Sequence, residues 1–293
     1  MMKEVQNKPK PPVCLTIAGL DPSGGAGIIA DIKTFSAFGC FAAAAVTSVT
    51  FQNTTGVFGA VHQTGDSVRR QVEPILTDYD VAAVKIGMLP TREIIEEVAK
   101  LIAEHGLKNV IVDPVIRSTS GFDLIDDEAL RVLIKKLFPL ADLITPNISE
   151  AERIAGITVG SRADIVHAAS IMRSLGAKNV LIKGGHFDEK GRNEEGEKGR
   201  MGEKRMARDY LFIGKDLQVF EAEFIDTEAT HGTGCVLSSA IAANLALGKD
   251  LNEAVAAAKE FVTEAIRTEP GLGHGHSPIN LGLESKHPAC HAT

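Results

Sequence analysis

The chain has 293 residues, of which 44% are hydrophobic and 24% charged, and this composition is typical of a globular protein with a packed core. Its formal net charge of -7 argues against the positive surfaces that hold nucleic acid or an anionic membrane. Four cysteines lie far apart without a C-x-x-C spacing, which argues against a disulfide scaffold or a structural zinc site and favours a reduced, cytoplasmic compartment. No apolar stretch is long enough to span a bilayer.

Apolar β-rich runs alternate with helical patterns along most of the chain. The first run, Val13 to Ala18, ends in a glycine-rich turn and precedes a helical pattern. Further strands are predicted at 81–86, 109–112, 143–144, 179–182, 210–213 and 217–224, and helices at 91–105, 126–138, 149–155 and within 232–268. Continuous apolar strands separated by amphipathic helices indicate a mostly parallel sheet covered on both faces.

No internal repeat or hinge-like linker divides the chain, which predicts a single domain over residues 13–280. Residues 1–12 are predicted to be a flexible leader, and residues 281–293 a C-terminal tail. The segment 188–208 is charged and almost free of apolar residues, so it is predicted to be a mobile surface loop. A flap near a bound nucleotide is the alternative for this segment.

The loop from Gly19 to Gly27, with the sequence GLDPSGGAG, follows the first predicted strand. Its glycines allow close approach of the backbone to a ligand, and the next helix offers free N–H groups. The loop lacks the lysine of a phosphate-binding P-loop and does not match G-x-G-x-x-G in register. A ligand above the first strand and a simple tight turn therefore both stay open.

The stronger candidate is THGTGC, residues 230–235, at the start of a predicted helix. Small residues at a helix N-terminus expose N–H groups, and the helix dipole favours negative charge there, so Gly232, Thr233 and Gly234 predict an anion site. The same field is expected to lower the pKa of Cys235 in the first turn and to favour a thiolate base. A buried, inert cysteine is the alternative.

Polar side chains also follow three other predicted strands. Asn147 and Glu150 offer oxygen ligands of the kind that suit Mg²⁺, with helix capping as the alternative. Asp113 follows another strand, and Lys183 with Gly185 follows a third, where a cation and a flexible backbone fit a phosphate. Because parallel strands end at one edge of a sheet, these groups are expected to converge on one ligand crevice.

Seven segments in order together resemble the hydroxymethylpyrimidine/phosphomethylpyrimidine kinase family of thiamine biosynthesis. They are residues 15–39, 51–57, 85–90 (KIGMLP), 110–115 (VIVDPV), 143–152 (LITPNISEAE), 181–186 (LIKGGH) and 230–235. The resemblance implies a ribokinase-like α/β fold, a three-layer sandwich whose central, mostly parallel sheet is flanked by helices and carries a small β flap. It implies ATP-dependent phosphorylation of 4-amino-5-hydroxymethyl-2-methylpyrimidine and then of its monophosphate.

The same resemblance implies roles for single residues. On the substrate side, Asp31 and Gln52 would meet the ring nitrogens and the amino group of the pyrimidine. The rest of that pocket would be formed by Gly19, Ala26, Met88 and Val115. On the other side, ATP and Mg²⁺ would be held by Asp113, Asn147, Glu150, Lys183 and Gly185, with Asp113 and Glu150 as the metal ligands. The segment from Gly232 to Gly234 would be the anion hole and Cys235 the base.

Three other functions are weighed against this one. A pyridoxine or pyridoxal kinase on the same scaffold is the nearest, because its substrates are also flat heteroaromatic hydroxymethyl compounds. A catalytically silent pyrimidine-binding sensor and a dinucleotide oxidoreductase rank lower, the latter because the glycine register does not fit. The expected partners are a small pyrimidine and ATP, without nucleic acid or membrane, and a homodimer stays open.

Overall fold

The computed structural model describes residues 10–118, 121–185 and 205–283. Within them the apolar runs form a nine-stranded sheet in the order β3-β2-β1-β4-β5-β6-β7-β8-β9. The strands are β1 (Val13–Leu20), β2 (Phe41–Asn53), β3 (Gly56–His62), β4 (Val81–Ile86), β5 (Val110–Val112), β6 (Leu143–Ile144), β7 (Asn179–Lys183), β8 (Met206–Ile213) and β9 (Asp216–Glu223). Six neighbouring strands pair in parallel, in the spatial order β2, β1, β4, β5, β6 and β7.

Antiparallel strands close both edges of the sheet. β3 folds back on β2, and β8 and β9 form a hairpin beside β7. The mostly parallel sheet that the sequence predicts is thereby confirmed, and the antiparallel edge strands agree with the small β flap that the resemblance implies. β2 and β3 belong to no predicted strand. The first half of β2 is rich in alanine and β3 contains two glycines, and both residue types are depleted in strands.

Eight α-helices cover the sheet in the described residues. They are α1 (Gly27–Ala37), α2 (Gly65–Asp78), α3 (Arg92–His105), α4 (Asp127–Leu137), α5 (Ile148–Ala155), α6 (Arg162–Ser174), α7 (Thr233–Ala246) and α8 (Leu251–Arg267), with a 3₁₀ turn at Phe138–Leu140. The predicted ends of α3 are confirmed, since the Thr91 side chain caps its first turn and Gly106, with φ of 58°, ends it. No helix among these is long and apolar enough to cross a membrane.

The core lies in two apolar layers, one on each face of the sheet. Side chains of α2 to α6 pack on one face with alternate strand residues such as Val112, and side chains of α1, α7 and α8 pack on the other with residues such as Ile111. Because successive strand residues point to opposite faces, a strand buried on both sides reads as a continuous apolar run. The three-layer arrangement follows from this pattern.

One boundary from the sequence is wrong. The predicted loop 188–208 ends too late, because Met206–Ile213 is strand β8 and Arg208 forms an ion pair with Glu221 of β9 at 2.6 Å. Charged residues on the solvent side of an edge hairpin pair across the strands, so their charge does not exclude a strand. The predictions for residues 1–9, 188–204 and 284–293 lie outside the described residues.

Candidate active site

The carboxyl ends of the parallel strands open onto one cavity of about 700 Å³. Parallel strands all point the same way, so the loops that follow them meet at a single edge of the sheet. The N-termini of α1, α5 and α7 reach this cavity through Gly27, Ile148 and Thr233. The cavity is thus bordered by strand ends, which carry charged side chains, and by the positive ends of helix dipoles.

The glycine-rich loop after β1 wraps around the carboxylate of Asp21. Asp21 Oδ1 accepts hydrogen bonds from Ser23 N at 2.8 Å and Ser23 Oγ at 2.7 Å, and Oδ2 accepts one from Ala26 N at 2.9 Å. Gly27 has φ of 56°, and a Cβ there would lie 2.3 Å from Gly19 O, so only glycine fits this turn. The loop is therefore a tight turn that also lines the cavity.

Asp21 also joins this loop to the segment before α7. His231 Nε2 lies 2.8 Å from Asp21 Oδ2. Burial opposes ionisation of Asp21, but hydrogen bonds from His231, Ser23 and Gln52 outweigh it and lower the pKa of the carboxyl to about 2. Asp21 is therefore a carboxylate at neutral pH, and it holds two cavity-lining loops together.

The start of α7 approaches the glycine-rich loop so closely that it needs glycine. Gly232 has φ of 84°, and a Cβ there would lie 1.9 Å from Gly25 O. No side chain caps the first turn of α7, whose first residue is Thr233. The backbone N–H groups of a helix start and the dipole behind them attract an anion, which makes this the predicted anion site.

A lysine and an aspartate from two strand ends form an ion pair below this helix start. Lys183 Nζ lies 2.7 Å from Asp113 Oδ1, which also accepts a hydrogen bond from Thr145 Oγ1 at 3.1 Å. Burial lowers the pKa of Lys183, but the charges of Asp113 and Glu150 outweigh burial and raise it. A Cβ on Gly234 would lie 3.1 Å from Lys183 Nζ, so this cation is directly under the first turn of α7.

Asn147 and Glu150 form a capping box at the start of α5. Asn147 Oδ1 accepts from Glu150 N at 2.8 Å, and Glu150 Oε2 accepts from Asn147 N at 2.8 Å. Burial raises the pKa of the Glu150 carboxyl to about 7, with Asp113 adding to the rise and Lys183 opposing it. The capping alternative is confirmed, and it places the carboxyl group of Glu150 in the wall of the same cavity as Asp113.

The donor set fits Mg²⁺ bound together with a phosphate. Mg²⁺ in phosphotransferases usually takes one or two carboxylates and completes its shell with water and phosphate oxygens. Asp113 and Glu150 supply two carboxylates in one cavity wall. In the part of the chain that the structure describes, no cluster of three or more His, Cys, Asp or Glu residues could hold a metal by protein ligands alone.

A second lysine and aspartate pair lies in the floor of the cavity. Lys85 on β4 and Asp31 on α1 are both 0% exposed, and Lys85 Nζ lies 2.9 Å from each carboxylate oxygen. Asp31 also accepts hydrogen bonds from Thr16 Oγ1 at 2.6 Å and from Ser239 Oγ at 2.7 Å. This cluster joins β1, β4, α1 and α7.

A third pair supports the loop after β7. Lys259 Nζ on α8 lies 2.7 Å from Asp209 Oδ2 on β8, and Asp209 Oδ1 accepts a hydrogen bond from Gly184 N at 3.1 Å. Both charged residues are largely buried and line the cavity. The pair therefore fixes the backbone between Lys183 and Gly185.

Comparison with known proteins identifies the family to which this sequence belongs. A model described as phosphomethylpyrimidine kinase matches residues 21–280, which is most of the chain. The chain belongs to the phosphomethylpyrimidine kinase family. A hydroxymethylpyrimidine/phosphomethylpyrimidine kinase of Bacillus subtilis (strain 168) is 41% identical over 266 residues, which are 91% of this chain and 93% of the relative.

Solved structures of related kinases share the fold. The crystal structure of phosphomethylpyrimidine kinase from Clostridium difficile 630 is 41% identical, with a TM-score of 0.73 over 87% of this chain and 99% of that one. An ADP complex of Bacillus subtilis pyridoxal kinase is 37% identical, with a TM-score of 0.80 over 94% of this chain and 98% of that one. A phosphomethylpyrimidine kinase and a pyridoxal kinase thus share this scaffold.

All but one of the site residues predicted from the phosphomethylpyrimidine kinase resemblance line the one cavity. They are Gly19, Ala26, Gln52, Met88, Asp113, Val115, Asn147, Glu150, Lys183, Gly185, Gly232, Thr233, Gly234 and Cys235. The structure brings them together from the ends of six strands and from the starts of α1, α5 and α7. Their individual roles toward a ligand stay predictions.

Asp31 is the exception, and its predicted contact with the pyrimidine needs correction. The carboxylate is 0% exposed, is absent from the cavity lining, and is surrounded by Thr16, Lys85 and Ser239. A ligand could reach it only by displacing these partners, and an uncompensated buried ammonium would then be left behind. Lys85, which does line the cavity, stands between Asp31 and any ligand.

The expected low pKa of Cys235 is also wrong. The thiol is half-buried in the cavity wall, and burial raises its pKa, an effect that the charge of Lys85 opposes and the charges of Asp31 and Asp113 reinforce. Loss of water around the sulfur is the largest of these effects, and it disfavours the charged thiolate. Cys235 is therefore a thiol at rest.

Sequence reasoning missed five charged or polar groups of this site. Asp21, His231 and Lys85 lie inside the motifs that carry the family resemblance, so their residue types could have marked them. Asp209 and Lys259 lie on a strand and a helix without any motif. Only the folded chain, which brings β8 beside α8 at the cavity, identifies that pair.

Proposed function

We propose that this protein uses ATP to phosphorylate 4-amino-5-hydroxymethyl-2-methylpyrimidine and then its monophosphate, giving the diphosphate required for thiamine biosynthesis. The observation that carries the proposal is a single cavity with two chemically different ends. One end is lined by Gly19, Gln52, Met88 and Val115, and the other by Lys183, Asp113 and the start of α7. Membership of the phosphomethylpyrimidine kinase family supports it.

The substrate end suits a small aminopyrimidine. Gln52 offers a donor and an acceptor on one amide, which matches the alternating acceptor and donor edge of the ring. Met88 and Val115 are apolar and can pack on the ring faces. The neighbouring Asp21 is ionised and held by His231, so it keeps the glycine-rich loop in place around the substrate.

The nucleotide end suits ATP. The start of α7 and Lys183 provide N–H groups and a cation for the phosphates. Apolar side chains that can receive the base follow on the same wall, namely Phe224, Ile225, Val262 and Ile266. Asp113 and Glu150 would hold Mg²⁺, which neutralises phosphate charge when bound.

In the first reaction the hydroxymethyl oxygen attacks the γ-phosphorus of ATP, and the bond to the β,γ-bridging oxygen breaks. Cys235 is a thiol at rest, so it first loses its proton to solvent. The thiolate then takes the proton of the hydroxyl group, and Lys183 with the start of α7 stabilises the charge on the transferring group. In the second reaction a phosphate oxygen of the monophosphate is the nucleophile. That oxygen carries no proton at neutral pH, so this reaction needs no base.

The two reactions predict a selective effect of Cys235→Ala. The kcat for the alcohol acceptor should fall by about 100-fold or more, the usual contribution of a general base, while the kcat for the monophosphate acceptor changes much less. Steady-state ATP consumption with each acceptor measures both values. Equal losses with the two acceptors, or an unchanged alcohol reaction, would exclude Cys235 as the base.

A pyridoxal kinase is the second candidate, because the pyridoxal kinase of Bacillus subtilis shares the fold over nearly the whole chain. Both substrates are flat heteroaromatic alcohols, so shape alone does not separate them. Gln52 favours the aminopyrimidine, since its amide matches a ring edge with both a nitrogen acceptor and an amino donor. A cytoplasmic location and a homodimer remain predictions from the sequence.

The proposal is tested by ATP consumption with three acceptors: the hydroxymethylpyrimidine, its monophosphate, and pyridoxal. Higher kcat/KM for both pyrimidines than for pyridoxal supports the proposed function, and the reverse order supports the second candidate. Gln52→Leu is the informative variant, because it removes the donor and acceptor and keeps the size. It should lower kcat/KM for the pyrimidines and leave the KM for ATP unchanged.

A further inference from the structure

Lys85 is a charged residue in the cavity floor to which the proposed reaction assigns no role. Its side chain and that of its partner Asp31 are each 0% exposed. Burial of an ion pair is costly, and apolar pairs of similar size are often as stable. Stability alone therefore does not explain an ammonium group at this position.

Lys85 lies in the wall of the cavity, in front of Asp31. Lys85 is one of the cavity-lining residues, whereas Asp31 is not. A Cβ on Gly87 would lie 2.8 Å from Lys85 Nζ, so the absence of a side chain at Gly87 leaves room for the ammonium group. Asp31 thus holds the cation on the side away from the cavity, and the Lys85 side chain itself is fully buried in the cavity wall.

Helix α7 connects this pair to Cys235. Ser239 lies four residues after Cys235, so the two side chains are on the same face of the helix. Ser239 Oγ donates a hydrogen bond to Asp31 Oδ1 at 2.7 Å, which fixes that face over the ion pair. Cys235, one turn closer to the start of α7, lines the same cavity as Lys85.

The charges around the thiol come from four elements. Lys85 on β4 lowers the pKa of Cys235, whereas Asp31 on α1 and Asp113 after β5 raise it. Lys183 on β7 also interacts with the sulfur. Lys85 contributes the largest of the effects that favour the thiolate, and burial of the sulfur opposes it.

We propose that Lys85 is a positioning residue for phosphoryl transfer, whose charge, oriented by Asp31, stabilises the Cys235 thiolate that accepts the proton of the substrate alcohol. This inference rests on the proposed function of Cys235. The proton moves from the hydroxyl group to sulfur, and the oxygen keeps the electron pair with which it attacks phosphorus. The monophosphate reaction involves no such proton, so it does not depend on Lys85 in this way.

The first test needs no substrate. Alkylation of Cys235 by iodoacetamide is followed from pH 6 to 10 in the native protein and in Lys85→Met, with the modified Cys235 peptide quantified by mass spectrometry. The midpoint of the pH dependence of the alkylation rate should move to higher pH in Lys85→Met. At pH values below the midpoint, the variant should be alkylated about tenfold more slowly than the native protein for each pH unit of that shift. An unchanged midpoint in the folded variant would overturn the proposal.

Lys259→Met is the matched control. Lys259 is a similarly enclosed lysine paired with Asp209 in the wall of the same cavity, and it is not among the largest contributions to the pKa of Cys235. Its replacement should leave the alkylation midpoint unchanged. The same midpoint shift in this control would mean that general loosening of the cavity exposes the thiol, which contradicts the proposal.

Lys85→Met leaves Asp31 without its counter-ion and can fail to fold. The double variant Lys85→Met/Asp31→Asn avoids that uncompensated charge, and its midpoint should still move to higher pH, by less than in the single variant, because Lys85 outweighs Asp31 at the sulfur. A midpoint at or below the native one would overturn the proposal.

Kinetics provide a second readout. In the Lys85 variants the kcat for the alcohol acceptor should fall at pH 7 and recover as the pH rises. The kcat for the monophosphate acceptor should stay within about threefold of the native value, which is less than the effect of a one-unit change in pKa. Equal losses with both acceptors at all pH values would indicate a merely structural role. If neither acceptor reacts even with the native protein, the proposed function fails, whereas the alkylation test still decides the role of Lys85.

Discussion

At the scale of single residues, the charged pairs of the cavity differ in what they leave available to a ligand. Asp31 is enclosed by Lys85, Thr16 and Ser239 and cannot meet a ligand. Asp113 shares one oxygen between Lys183 and Thr145, while its other oxygen has only a long contact with Ser238 at 3.5 Å. Of the two aspartates, Asp113 is therefore the one that can bind a metal or a phosphate-bound water.

Glu150 should make stability depend on pH. Its folded pKa of about 7 lies above the ordinary value of 4.5, so the folded state holds a proton that the unfolded state releases, and stability falls as the pH rises from about 4.5 to 7. Glu150→Gln removes this loss, which linkage puts at roughly 3 kcal/mol. Urea unfolding at pH 5 and pH 8 should show the variant gaining stability relative to the native protein only at pH 8.

The same variant separates stability from function. Because a neutral amide is a poorer Mg²⁺ ligand than a carboxylate, Glu150→Gln should raise the KM for ATP at pH 8. Glu152→Gln, two residues further along α5, is the control. Glu152 Oε1 accepts a hydrogen bond from Val159 N at 2.8 Å, and Glu152 does not line the cavity. A stability gain of equal size at both pH values would contradict the assigned pKa.

At the scale of elements, the three helices that begin at the cavity offer their N-termini differently. The first turn of α5 is closed by its own capping box, with the Glu150 carboxyl group at the helix start. Neither α1 nor α7 has a side-chain cap. In α1 the N–H of the preceding residue, Ala26, is bonded to Asp21. The start of α7 is accordingly the best anion site of the three.

Gly232→Ala tests the close approach of α7 to the glycine-rich loop. The variant meets both an unfavourable positive φ and a collision at 1.9 Å with Gly25 O, so it should lose substantially more than the roughly 1–2 kcal/mol that a left-handed residue costs by itself. Urea unfolding measures the loss, and the KM for ATP should rise.

Gly248→Ala is the matched control for this variant. Gly248 follows the other end of α7, has φ of 85°, and has no atom within 4 Å of an added Cβ. Its replacement should cost only the conformational strain and leave the kinetics unchanged. If the two variants lose the same stability and activity, the contact between the two loops is not required.

At the scale of the whole molecule, the sheet order brings distant parts of the sequence to one edge. β1, β4, β5, β6 and β7 are neighbours in space, and all end at the cavity. The antiparallel hairpin β8–β9 then adds Asp209 next to β7, where it holds Gly184. The two ends of the cavity are therefore assembled by different parts of the fold.

Nucleotide binding should stabilise the whole molecule through Lys183. A ligand at 100 times its Kd adds about 2.7 kcal/mol to the free energy of unfolding, so ADP should raise the Tm of the native protein measurably. Lys183→Met should abolish most of this rise. Differential scanning fluorimetry with and without ADP and Mg²⁺ measures it.

Lys178→Met is the control at the opposite end of the same strand. Lys178 precedes β7, is 68% exposed, and pairs with Asp142 outside the cavity. Its replacement should preserve the rise in Tm on ADP addition. A rise that persists in Lys183→Met as well would place the phosphates elsewhere.

The sequence by itself determined the fold class and most of the cavity lining, because buried parallel strands read as apolar runs and the residues that follow them lie in recognisable motifs. Only the tertiary structure decided what the charged groups do. It placed Asp31 behind Lys85, raised the pKa of Cys235 by burial, and paired Asp209 with Lys259. The physical reason is that burial and ion pairing depend on neighbours from distant parts of the chain, which local sequence patterns do not encode.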